Sequence, residues 1–442
     1  MKTENRISQW RVSLAGALRS STLENTLWLG GASIVTGLAG AATSAILARS
    51  LGVEEFGVLS LVLTLMVLLS DLSDLGMSNS LIRFGAQSVG EGDIGRLRIV
   101  LSTYLRAKVY LGCLVLLAAA VFVRPVVSAV FGHVDDRVIP FFWMSLPAVA
   151  LSSVAGVFAP LFQSFKKFRL QAILSVIRAL AKIGILLGLV GIHFGLSIPI
   201  VLVIEMISLG MYILGAYSFA PVRGFSLKLR DEHLAREMFA FNKWISLYQI
   251  IALLGGRLDV LLLGGLSNAL SLGLYGAASK VATLVVTFSN SYLTVLLPEI
   301  SAGGSTEGLR KKQQTATVIV VFLAGGILAL GALADPVIRV LFGATFADAA
   351  PVLRIMSIGL ICTVLGYPFN AVLFALNRSV VFPVLSAVSV VVLTVVNYLL
   401  IPRFGAEGAA IGFSASSLSA LLVSYTFYRV ATRKPPGAAT VS

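Results

Sequence analysis

Residues 44–84 read SAILARSLGVEEFGVLSLVLTLMVLLSDLSDLGMSNSLIRF, and the reading of this stretch decides the fold. One apolar helix closes it from the N-terminal side, a tight loop follows at Leu51-Gly52-Val53-Glu54-Glu55, and a second apolar run starts at about Phe56. Gly52 and Gly57 can take the positive φ that a short hairpin needs. The second run is long enough to cross about 30 Å of hydrocarbon as a helix. It carries Asp71 and Asp74 into its last turns, ends at Gly76 and leads to the basic Arg83.

Outward from this hairpin the same pattern recurs. The chain has 442 residues, 57% of them hydrophobic and only 12% charged, with a mean hydropathy of +0.94. A soluble domain carries about 25% charge, so the composition is that of an integral membrane protein. Apolar runs fall at 27–48, 56–78, 100–123, 138–160, 170–192, 197–219, 238–263, 268–297, 315–334, 351–376, 379–401 and 408–429. Strand-period alternation is absent, which argues against a β-barrel. The expected fold class is an all-α membrane protein of about twelve transmembrane helices. Small residues at Gly30, Ser33, Gly37, Gly40 and Ser44 give the first helix a flat face for close packing. Cys113 and Cys362 lie inside apolar runs and read as buried small hydrophobes.

Internal similarity divides the chain in two. Arg124-Pro-Val-Val-Ser-Ala-Val-Phe-Gly132 matches Asp335-Pro-Val-Ile-Arg-Val-Leu-Phe-Gly343. His193-Phe-Gly195 aligns with Arg403-Phe-Gly405, Phe162 to Lys166 with Phe374 to Arg378, and Phe56-Gly57 with Leu272-Gly273. Six spans per repeat is an even number, so the halves share orientation as parallel repeats. The expected division is a six-helix bundle over 1–220, a basic linker at 221–237, a second bundle over 238–434 and a tail at 435–442. Residues 1–22 form a basic tail, read either as an amphipathic surface helix or as solvated chain, and not as a cleaved signal.

Charge orients the spans. The N-terminal tail holds Lys2, Arg6, Arg11 and Arg19, and the even-numbered connections are counted as holding most of the other bases, among them Arg83, Arg96, Arg98, Arg106, Lys108, Lys166, Lys167, Arg223, Lys228, Arg310, Lys311 and Arg378. The odd-numbered connections hold Arg49, Arg124, Arg137, Arg339, Arg354 and Arg403. An excess of about fourfold is what the positive-inside rule produces, so both termini are expected in the cytoplasm. The same asymmetry accounts for the net charge of +14 without nucleic acid.

Parallel-repeat carriers place the substrate site between the halves, near the midplane. An ionisable residue there costs about 2.5–3.5 kcal/mol on insertion scales, so each one inside a span marks a candidate site. The candidates are Asp71, Asp74, Arg178, Lys182, Glu205, Arg257, Asp259 and Lys280. Arg178 and Lys182 are four apart and share a helix face. Their repulsion is resolved by a water-filled cavity or an anionic ligand, or else by Arg178 reaching the cytoplasmic surface while Lys182 pairs with an acid such as Glu205. Arg257 and Asp259 are two apart and point to different sides, after Gly255-Gly256, which loosens the helix. Lys280 either lines the cavity or pairs with Asp259. The expected assignment is a cationic substrate-binding cavity of Arg178, Lys182, Arg257 and Lys280, with Asp71, Asp74, Glu205 and Asp259 in gating or ion coupling. Asp71 and Asp74 are expected to pair with Arg83 or Arg106, and Asn290, Asn370, Asn377 and Asn397 to make interhelical hydrogen bonds. No phosphate loop, metal-ligand cluster or nucleophile elbow is present. His133, His193 and His233 fall in connections, so no catalytic residue, metal or cofactor is expected.

The pieces ILARSLGVEEFGVLSLVLTL and DLGMSNSLIRF resemble the signature of the oligosaccharide-lipid and polysaccharide flippases, the Wzx-type O-antigen flippase-like branch of the multidrug/oligosaccharidyl-lipid/polysaccharide exporter superfamily. The resemblance implies a fold like that of the multidrug and toxin extruders, in a multi-pass inner or plasma membrane protein. It implies transfer of an undecaprenyl-diphosphate-type lipid-linked oligosaccharide to the outer leaflet by alternating access, for O-antigen, capsule or exopolysaccharide synthesis. Membrane lipids, H+ or Na+ as coupling ion, and polysaccharide assembly proteins are the implied partners. Two C-terminal helices of the fourteen-span members are missing, so a lipid groove built from them is not carried over. The alternatives are a multidrug or organic cation antiporter of the same superfamily, whose cavity should be rich in carboxylates, and a membrane glycosyltransferase, which needs larger acidic loops.

Overall fold

The structure is a computed structural model that describes residues 21–131, 138–222, 227, 229–301, 320–375 and 381–433. The tail up to Ser20, His133, Arg137, Arg223, Lys228, Arg310 to Lys312, Asn377, Arg378, Lys434 and the 435–442 tail lie outside the described residues. So does the side chain of Asn290.

Among the described residues the chain is helical, with no strand. The first half comprises α1 (Ser21–Leu51), α2 (Val53–Leu72), α3 (Met77–Gly90), α4 (Ile94–Phe131), α5 (Val138–Ala155), α6 (Phe158–Ser164), α7 (Phe168–Gly191) and α8 (Ile198–Ser218). The second comprises α9 (Glu232–Gly255), α10 (Leu258–Leu266), α11 (Ala269–Ser301), α12 (Val320–Ala332), α13 (Ala334–Phe342), α14 (Ala349–Ala375) and α15 (Val381–Arg433).

Nine of the described helices are long and apolar enough to cross a membrane, and two bent pairs bring the number to eleven. Those pairs are Glu232–Lys243 with Ile245–Gly255, bent by 43°, and α12 with α13, bent by 71°. A twelfth span comes from α15, whose backbone is non-helical at Gly405 (φ 52, ψ −122). A Cβ on Gly412 would stand 1.8 Å from Asn397 Oδ1, and one on Gly408 2.6 Å from the Leu400 carbonyl. In one straight helix residues 397 and 412 would be about 22 Å apart at 1.5 Å per residue. The chain therefore turns back at Gly405 as a hairpin, and the span count agrees with the hydropathy. In a lipid core only such internally hydrogen-bonded helices, or a closed barrel, are tolerated.

The quoted hairpin is tighter than the sequence suggests. Gly52 alone separates α1 from α2, at φ 81, in the left-handed region that glycine enters without a Cβ penalty. Gly57 is helical; its role is close approach, not positive φ. A Cβ there would lie 2.0 Å from the Ala269 carbonyl oxygen, and a Cβ on Gly273 would lie 2.0 Å from that of Val53. Each glycine thus meets a carbonyl four residues ahead of the other, a local two-fold crossing of α2 and α11. The second span ends earlier than expected, at Leu72. Leu75 (φ 42) and Gly76 (φ 78) are left-handed, and they turn the chain into the separate helix α3.

One apolar cluster joins the two halves at the end carrying Gly52, through Phe56, Leu59, Leu272, Tyr275, Phe342, Phe346 and Leu353. A second cluster lies at the opposite end, where Met77, Leu81 and Phe84 of α3 meet Leu97, Leu101 and Tyr104 of α4 and Leu234 and Met238 of α9. The start of α9 is capped by Asp231, whose carboxylate accepts from His233 N at 2.9 Å and Leu234 N at 3.0 Å. Leu114, Leu117, Leu214 and Phe322 are exposed, as lipid-facing residues of a bundle are. Cys113 is exposed too, which corrects the expectation that it is buried; neither cysteine forms a disulfide.

Candidate functional site

Between the clusters lies a cavity of about 790 Å³, lined from α1, α2, α5, α7, α8, α10, α11 and the break after α9. Seven of the eight singled-out residues line it: Asp71, Arg178, Lys182, Glu205, Arg257, Asp259 and Lys280. Asp74 lies in an adjoining chamber of about 490 Å³.

The bases come in two kinds. On α7, Arg178 and Lys182 share one face, and both reach the buried Glu205 of α8, at 2.7 Å and 2.5 Å. Pairing both bases with one acid offsets their mutual repulsion and leaves the trio with a net positive charge. Neither of the two expected arrangements holds alone, since Arg178 joins Lys182 on the same carboxylate.

Arg257 stands in the gap between α9 and α10, outside both helices (φ −130, ψ −8), where Gly255-Gly256 ends α9. Lys280 projects from α11 into the same space. Among the described residues no carboxylate oxygen lies within 4.0 Å of either base. Asp259 is not the partner of Lys280. Its carboxylate accepts from Val260 N at 2.8 Å and from the Tyr275 hydroxyl, tying α10 to α11.

The two acids of α2 are handled differently. Asp71, in the last turn, is exposed to both chambers and has no direct side-chain partner among the described residues. Asp74 lies beyond the helix, in the turn at 73–76, and is held from several sides. It accepts from Lys108 Nζ at 2.8 Å, Ser78 Oγ at 2.8 Å, Ser78 N at 3.2 Å and Tyr104 OH at 3.2 Å. Its partner is therefore Lys108. Arg83 instead places its guanidinium over Phe241 at 4.3 Å, and Arg106 bonds to Ser102 O and Thr103. Lys108 was legible: it lies inside the third apolar run, four residues from Tyr104, and only its proximity to connection charges hid it.

Of the asparagines, Asn370 accepts from Ser424 at 2.8 Å as an interhelical bond. Asn397 departs from expectation: it is fully buried against Gly412, and its amide atoms have no hydrogen-bond partner among the described residues.

Arg257 and Lys280, with the net-positive trio, present positive charge into the cavity between the helices, where an anion is held more strongly than in bulk water. Guanidinium and ammonium donors form charge-assisted bonds to phosphate oxygens.

The family described as polysaccharide biosynthesis protein matches residues 22–303. The chain is 23% identical over 380 residues to a probable low-salt glycan biosynthesis flippase, Agl15, of Haloferax volcanii, spanning 84% of this chain and 75% of that protein. It is 24% identical over 377 residues to the lipopolysaccharide biosynthesis protein WzxC of Escherichia coli, spanning 82% and 71%. The fold is similar to an inward-facing multidrug resistance transporter of the MATE family in the MOP superfamily, with a TM-score of 0.77 over 89% of this chain and 94% of that one, at 14% identity. It is similar also to the lipid II flippase MurJ in an inward closed conformation, with a TM-score of 0.74 over 91% and 87%, at 14% identity.

Proposed function

The chain belongs to the polysaccharide biosynthesis protein family, and from that premise we propose that it moves a polyprenyl-diphosphate-linked oligosaccharide from the inner to the outer leaflet. The diphosphate sits among Arg178, Lys182, Arg257 and Lys280, the glycan stays in the aqueous chambers, and the lipid tail remains in the bilayer. The two bundles, 1–220 and 238–434, rock about the linker at 221–237 so that the cavity opens to each side in turn. By the positive-inside reading, the Gly52 end faces outward and both termini are cytoplasmic. An H+ or Na+ gradient drives the cycle, with Asp71 as the carboxylate available to respond to it. Asp74, Glu205 and Asp259 hold the surrounding helices.

The observation that carries this reading is the pair Arg257 and Lys280: two bases in the cavity wall without a carboxylate within 4.0 Å among the described residues. An organic cation would be repelled by them, which disfavours the antiporter alternative.

The test is complementation of a flippase-deficient strain, scored by surface polysaccharide with membrane protein level as control. Arg257→Ala and Lys280→Ala should each lower export by at least about tenfold, as loss of a charge-assisted hydrogen bond implies. Arg257→Lys should retain more activity than Arg257→Ala, because a point charge still attracts phosphate. Full complementation by the double alanine variant would overturn the cationic-cavity mechanism.

A further inference from the structure

The 490 Å³ chamber beside the main cavity has a chemistry of its own. The two share Ser70, Asp71, Ser152 and Gly156 in their walls, so they lie side by side. The main cavity carries four bases against three acids. The side chamber carries Asp71 and Asp74 against Lys108, whose ammonium is already committed to Asp74 at 2.8 Å and Tyr104 at 3.2 Å. A diphosphate is therefore favoured on one side of Asp71 and disfavoured on the other.

What the side chamber offers instead is directional, mixed hydrogen bonding. Gln249 of α9 lines it, and its amide, one acceptor and two donors, makes no hydrogen bond among the described residues. The Asp71 carboxylate supplies acceptors with no direct partner among the described residues, and Ser70, Ser78 and Ser152 add hydroxyl oxygens that can accept, Ser70 donating to Ser152 at 3.0 Å and Ser78 to Asp74 at 2.8 Å. Tyr248 adds an exposed aromatic ring beside Gln249. Each hydroxyl of a sugar both donates and accepts, and each sugar ring has an apolar face, so a pyranose satisfies this lining where a phosphate does not. The excess of carboxylate also discriminates among sugars, since like charges brought together in a partly desolvated site are costly.

We propose that this chamber is a glycan subsite, taking the sugar next to the diphosphate and preferring neutral or amino sugars to uronic acids. The proposal rests on the flippase reading and adds where the glycan lies and which glycans are refused.

The experiment measures binding to the full-length protein in lipid nanodiscs, using undecaprenyl diphosphate alone, the same lipid bearing one N-acetylglucosamine, and the same lipid bearing one glucuronic acid. The N-acetylglucosamine lipid should bind tightest, and the glucuronate lipid at least about tenfold more weakly. Gln249→Ala should weaken the N-acetylglucosamine lipid about tenfold and leave bare undecaprenyl diphosphate unchanged, which also reports that the variant is folded. The isosteric Asp71→Asn should narrow the gap between the two sugars, whereas Arg257→Ala should weaken all three lipids. Equal effects of Gln249→Ala on bare and sugar-bearing lipid, or equal binding of the two sugars, would overturn the subsite while leaving the cationic cavity standing. If none of the three lipids binds the parent protein, the flippase reading falls and the subsite with it.

Discussion

The two halves touch at both ends of the cavity, but by different physics. At the Gly52 end the contact is backbone against backbone. Gly57 and Gly273 let α2 and α11 approach until any Cβ would overlap a carbonyl. Phe56 packs beside them on Phe342 and Phe346 at ring separations of 6.5 Å and 5.8 Å. Arg49 of the first half reaches the carbonyls of Leu341, at 3.0 Å, and Val340, placing a cation where the last carbonyls of α13 lack helical partners. At the Asp74 end side chains meet instead: Met77, Leu81 and Phe84 pack on Leu234 and Met238, and Phe84 meets Phe241 edge-on at 6.0 Å, with hydrogen bonds beside them. The Leu75 carbonyl accepts from Asn242 Nδ2 at 2.9 Å and Ser246 Oγ at 2.6 Å, and Ser80 donates to Met238 O at 3.3 Å. A close-packed seal resists any added atom, whereas hydrogen bonds exchange with water at a net cost of about 1 kcal/mol each. The Gly52 end is sealed by backbone contact, the Asp74 end by packed side chains and exchangeable hydrogen bonds.

The comparison breaks most directly at the glycines. Gly57→Ala or Gly273→Ala forces the helices apart, and overpacking of this kind costs about 1–3 kcal/mol. A cysteine placed at Ser60, in the cavity wall, should then react roughly tenfold faster with an impermeant reagent from the Gly52 side, by the same range of overpacking cost. Unchanged labelling with normal protein levels would mean that the crossing is not a seal.

The Asp74 end depends on a shaped turn, so its weak point lies one layer back. Lys108 is 6% exposed and Asp74 18%, and removing one partner of a buried pair costs about 3 kcal/mol or more. Lys108→Met should therefore lower the thermal midpoint markedly, and adding Asp74→Asn should recover part of the loss. Asp74→Asn alone leaves Lys108 buried without its anion, so it should lower both stability and transport, and transport further because it loosens the turn that presents the Leu75 carbonyl. Transport at the parent rate would remove Asp74 from gating.

The smallest effects separate the ends most finely. Ser246→Ala removes one of two bonds to Leu75 O and should cost about 1 kcal/mol, seen as a modest rise in labelling from the Asp74 side only. Arg49→Ala should raise labelling from the Gly52 side only, and by less than the glycine substitutions, because the packed aromatics remain. Equal rises from both sides for either variant would erase the distinction between the ends.

Much of this was legible in the residues. The twelve apolar runs, the hairpin at Gly52, the reversal near Gly405 and the equivalence of Phe56-Gly57 with Leu272-Gly273 all agree with the structure. Seven of the ionisable residues singled out inside the spans also line one cavity, as the cost of placing such a group against lipid requires. Other expectations failed for identifiable reasons. The second span was drawn through to Gly76 because Asp71 to Leu75 continue the helical pattern, while left-handed backbone at Leu75 and Gly76 stops it. Arg83 and Arg106 were expected to pair with the acids, yet on α4 it is Lys108, two residues beyond Arg106, that faces Asp74.

The sequence by itself determined which segments cross the membrane and which charges they carry, because a helix in lipid must satisfy its own backbone and bear its own desolvation cost. Only the tertiary structure decided which charges meet. Arg178 and Lys182 share Glu205, Tyr275 takes Asp259, and Arg257 and Lys280 are left to the cavity, because pairing depends on the rotation and crossing of packed helices. Hydropathy does not encode those angles; small residues such as Gly57 and Gly273 set them, by how closely they let two backbones approach.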